Sequence, residues 1–121
     1  MDQEGAYDTL VKASMFSLDH VGFGGITPET VRAFRFLLED TSGPQAFLRL
    51  LNEGSLSGQM YALAGIYLID RSRFVQAVKQ LEHRTEMVEA MFGGCVVDEC
   101  SVSDLVRMIS SGELAARLKG R

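Results

Sequence analysis

Between Glu53 and Asp70 the chain runs for sixteen residues without a charge, and the last nine of them, Tyr61-Ala-Leu-Ala-Gly-Ile-Tyr-Leu-Ile69, are apolar or small. Wound into a helix, such a segment has no polar side to give to water and must be buried all round. A helix of that kind needs neighbours on every side. Pro44 to Glu53 before it and Arg71 to Glu82 after it are amphipathic, and each is joined to it by a turn of a few residues. The middle of the chain therefore reads as three consecutive antiparallel helices with the apolar one in the centre. The run includes Ser55, Ser57, Gly58 and Gln59 and falls short of the roughly 20 apolar residues that cross a bilayer. It is read as a core helix, with no membrane span.

Caps and spacing place the other elements. Ala6 to Phe16 reads as a first helix with Leu10, Ala13 and either Met15 or Phe16 inward. Gly22, Gly24 and Gly25 keep residues 17–26 irregular, because glycine gives up the most backbone freedom in a helix. Thr27-Pro28-Glu29 joins a hydroxyl acceptor, a proline with helical φ and an acid near the positive helix end, and opens a helix with Val31, Phe34 and Leu37 or Leu38 on one face. Pro44 opens the next, whose Phe47, Leu50 and Leu51 stripe precedes Gly54, placed for a left-handed helix end.

Ser57 is the expected N-cap of the buried helix. Asp70 is expected to close it and to cap its successor, which turns Phe74, Ala77, Val78 and Leu81 inward. Thr85 to Met91 reads as a short helix resting on Met87, Val88 and Met91. Residues 93–102 place β-branched side chains around Asp98-Glu99, so an extended loop or a small hairpin is expected near Cys95. Ser103-Asp104 caps a last helix, which Gly112 stops. The expected fold is all-α, one domain over residues 1–121, with antiparallel helical hairpins forming a short right-handed solenoid or an irregular bundle. Gly65 is expected where a second helix backbone passes close to the central one.

The order helix, tight turn, helix over Thr27 to Leu38, Pro44 to Leu51 and Gln59 to Leu81 resembles the α-hairpins of HEAT-type and armadillo-type solenoids, in which neighbouring hairpins bury each other's faces. No strict repeat period links these segments. Gly22-Phe-Gly-Gly, Ala33-Phe-Arg-Phe-Leu-Leu38, Gly58-Gln-Met-Tyr-Ala-Leu-Ala-Gly-Ile-Tyr-Leu68, and Gly94-Cys95 with Ile109-Ser-Ser-Gly112 are similar to a pattern in small uncharacterised bacterial proteins, some of them exported. That resemblance covers most of the chain and implies a helical fold. It carries no catalytic residue.

A formal net charge of −4 argues against a whole-molecule attraction to nucleic acid or anionic lipid. Arg117-Leu-Lys119-Gly-Arg121 reads as a solvated tail. Cys95 and Cys100 are too widely spaced for a zinc knuckle, and His20 and His83 lie far from them in sequence. No metal or other cofactor is expected. Asp98 and Glu99 beside the thiols disfavour a reactive thiolate. The pair reads as a short-loop disulfide in an oxidising compartment, or as two half-buried thiols in a reducing one.

Gly22-Phe-Gly-Gly-Ile26 lacks the ending of a phosphate loop. It reads as a turn that plugs Phe23 into the core, or as a loop that offers Phe23 to a partner. His20 beside Asp19 is a surface loop histidine or an oriented base. Tyr61 and Tyr67 are structural, or line one cleft with Met60. Met60, Met87, Met91 and Met108 are expected to fill the core. Arg71 and Arg73, with Lys79 and Arg84, form the most basic face: a solvated side, or a dock for an acidic partner.

These residues provide surfaces and no set that performs a reaction, so a non-enzymatic protein-interaction module is favoured, as a monomer or weak dimer with a protein partner. Its binding candidates are Phe23, Tyr61, Tyr67, Arg71 and Arg73. The alternatives are a small thiol- or histidine-dependent enzyme using Cys95 or His20, and a small-ligand binder with a Tyr/Met-lined pocket. The polar opening Met1-Asp-Gln-Glu-Gly has no signal-peptide pattern. The chain is read as cytosolic or as exported with its signal removed, and the exported reading is preferred.

Overall fold

In the computed structural model, which describes residues 2–18, 27–91 and 98–119, the uncharged run is the axis on which the rest is packed. The described elements are α1 (Gln3–Val11), β1 (Phe16–Ser17), α2 (Glu29–Glu39), α3 (Gly43–Glu53), α4 (Leu56–Ile69), α5 (Arg71–Leu81), β2 (Met87–Met91), β3 (Asp98–Ser101), α6 (Val102–Ser110) and α7 (Glu113–Lys119). Helix α4 touches all six other helices as well as β1 and β2. Met60 to Ile66 are all buried along it, as are Ser57 and Gly58. The predominantly helical expectation is met. A three-stranded sheet, ordered β1-β2-β3, lies beside the helices.

The caps explain where the helices begin. Ser55, not Ser57, caps α4: its hydroxyl oxygen accepts from the Gly58 N–H at 3.0 Å and its own proton goes to the Ala13 carbonyl at 2.6 Å. The Ser55 N–H also donates to the Val11 carbonyl at 3.0 Å, so one residue ties the end of α1 to the start of α4. Ser57 is instead buried within the first turn. Asp70 acts at both ends as expected. Its N–H donates to the Ile66 carbonyl to close α4, and its carboxylate accepts from the Arg73 N–H at 3.2 Å to open α5.

Three other boundaries differ from the sequence reading. Helix α2 starts after Pro28 with no side-chain cap, so Thr27 is not used. Helix α6 is capped by Ser101, two residues before the expected Ser103. Helix α1 starts at Gln3, with Asp2 accepting from the Gly5 N–H at 2.8 Å, and ends at Val11. Phe16 therefore leaves the helix and enters β1, where its ring packs edge-on against Tyr61 with centroids 4.8 Å apart.

The segment from Thr85 to Met91 is not a helix; Met87–Met91 is strand β2. It pairs parallel with β1, Phe16 opposite Ala90, and antiparallel with β3, Val88 opposite Cys100. Val88 and Ala90 are buried while Met87 and Glu89 are exposed, which is the period of two of a half-buried strand. As a strand the segment pairs on both sides, with β1 and with β3.

Glycine takes different roles along the chain. Gly112 stops α6 as expected, and it adopts the left-handed conformation, with φ at +87°, that the sequence reading assigns to Gly54. Gly54 does not: its φ is −77°, and its smallness is needed because a Cβ would sit 2.8 Å from the Leu50 carbonyl oxygen. At Gly65 a Cβ would meet the Phe47 ring at 2.7 Å. The close neighbour is thus an aromatic side chain of α3, not the helix backbone that the sequence suggested.

Candidate functional site

Tyr61 belongs to the core. Its hydroxyl accepts from the Ser17 N–H at 2.7 Å and donates to the Ser17 carbonyl at 2.9 Å, leaving Thr30 Oγ1, 2.9 Å away, to donate to it. Burial pushes the Tyr61 hydroxyl above its usual value, and the bonds from Thr30 and Ser17 oppose part of that rise. The arrangement satisfies both backbone polar groups of Ser17 where β1 meets α4. Met60 is also fully buried.

Tyr67 and Arg71 come together on the outer end of α4. The Arg71 guanidinium lies 3.6 Å above the Tyr67 ring and donates to the Tyr67 carbonyl at 2.7 Å. The Phe74 ring meets Tyr67 edge-on at 5.0 Å. Of the expected basic face, Arg73 pairs with Asp70 at 3.3 Å and Arg84 with Glu86, so much of its charge is balanced locally. Phe23, His20 and Cys95 lie outside the described residues, and with them the Cys95–Cys100 pairing. Cys100 is half-buried on β3. Met87 is 52% exposed and Met108 37%, so neither fills the core as expected.

A groove of about 300 Å³ opens where α3, α4 and the start of α5 converge. Pro44, Gln45, Phe47 and Leu48 of α3 line one side, Ile66 and Ile69 of α4 the other, and Asp70 with Arg73 forms the edge. The local sequence dictates this shape. One residue, Asp70, joins α4 to α5, so the chain turns before the last apolar residue of α4 can be covered, and Ile69 remains 37% exposed. The Ser72 hydroxyl and the Arg73 N–H hold the Asp70 carboxyl below its usual range. At neutral pH the edge therefore carries a negative and a positive charge side by side.

This volume sits at the lower end for small-molecule pockets. Further grooves include a more polar one between α5 and α6, lined by Val78, Glu82, Ser103, Val106, Arg107 and Ser110, and one lined by Cys100, Asp104, Arg107, Met108 and Ser111. Among the described sequence-based candidates, only Arg73 lines the apolar groove. Ile69, Phe47 and Leu48 were missed as site residues because periodicity marks an apolar residue as inward and does not say where the covering element stops. Among the described residues, no group of three or more His, Cys, Asp or Glu is placed to hold a metal ion, and no helix is long and apolar enough to cross a membrane. Compared with known proteins, the chain matches no family model and no curated protein.

Proposed function

We propose that the protein is a non-enzymatic interaction module, built from short-linked helical hairpins of the HEAT or armadillo kind, that receives an apolar side chain of a protein partner between α3, α4 and α5. The observation that supports this reading is Ile69, a large apolar residue exposed at the lip of a concave surface floored by Phe47, Leu48 and Ile66. Scattered exposed apolar residues need no explanation. One that extends a concave apolar floor gives a partner's side chain a desolvated seat, the arrangement typical of interface anchors. The opposed charges of Asp70 and Arg73 at the edge would orient the incoming segment rather than supply its affinity.

The test begins with capture from a lysate of the native host, using the protein and its Ile69→Arg variant as baits, with mass spectrometry of what each retains. A partner so identified is then purified and titrated against both. The expected result is binding to the parent and a loss of about tenfold or more with Ile69→Arg, consistent with an anchor worth at least ~1.4 kcal/mol. The variant's circular dichroism and melting temperature should match the parent's. Equal binding of the purified partner by both proteins would overturn the reading.

A further inference from the structure

We draw no further inference here: the strongest candidate, the apolar groove between α3, α4 and the start of α5, belongs to the site already described, and nothing in the structure shows what covers it.

Discussion

Tyr61 and Gly65 sit one turn apart on α4 and constrain the core in opposite ways, one by what it bonds and the other by what it leaves out. Tyr61→Phe would strand the Ser17 N–H and the Ser17 carbonyl in a buried place and take a partner from the half-buried Thr30 hydroxyl. Each unsatisfied buried group costs about 1–3 kcal/mol, so urea denaturation should show a loss within or above that range. A loss below about 0.5 kcal/mol would mean that water replaces the phenol. Gly65→Leu should cost ~1–3 kcal/mol or more by overpacking, because even a Cβ would lie 2.7 Å from the fully buried Phe47 ring. Adding Phe47→Leu should recover part of that loss, since contacting residues are not additive. A melting temperature for Gly65→Leu equal to the parent's would refute the contact.

Helices α1 and α3 are joined at the surface by a clasp in which the Tyr7 hydroxyl donates to Glu53 Oε1 at 2.6 Å. Arg49 lies 4.5 Å above the Tyr7 ring and pairs with Glu53 at 3.3 Å. Burial, followed by the bond to Glu53, pushes the Tyr7 hydroxyl up to about 12. The bond from Tyr7, more than Arg49, holds the Glu53 carboxyl below its usual range. Glu53 is easier to ionise folded than unfolded, so its contribution is present above the ordinary glutamate value of about 4.3 and is lost as pH falls through the lower folded value. Tyr7 is harder to ionise folded, so its contribution is present below about pH 10 and is lost as pH rises toward about 12. The stability difference between the parent and Tyr7→Phe should therefore be largest at neutral pH and shrink at both extremes. A difference independent of pH would show that the phenol and carboxylate do not interact in solution.

A helix that touches nearly every other element makes partial unfolding costly, because losing α4 uncovers all of its neighbours. The protein should unfold in one cooperative step, as small single domains usually do. There is no tryptophan, and Tyr61 and Tyr67 lie on α4 while Tyr7 lies on α1. Tyrosine fluorescence thus reports the centre, and far-ultraviolet circular dichroism reports all the helices. Coincident melting curves are expected. A separate circular dichroism transition would mean that the sheet and the C-terminal helices unfold independently of α4. The same centrality explains the groove, which forms where α4 outruns the helices packed on it.

What was legible in the amino-acid order was whatever one segment decides alone. The all-round apolar run could only be buried, Asp70 between two helices could serve both, and Gly112 stood where the helix of residues 102–110 stops. Residues 85–91 were misread because Met87, Val88 and Met91 satisfy helical spacing while Val88 and Ala90 satisfy strand spacing. Pairing with Phe16-Ser17 and Asp98–Ser101 chose between them, and the first of those partners lies far off in sequence. The Tyr61 network joins residues 17, 30 and 61, and the groove joins the start of α3 to both sides of Asp70. Local pattern encodes which side of an element avoids water; which elements meet, and where they leave a gap, is settled only when the three-dimensional packing brings distant residues together.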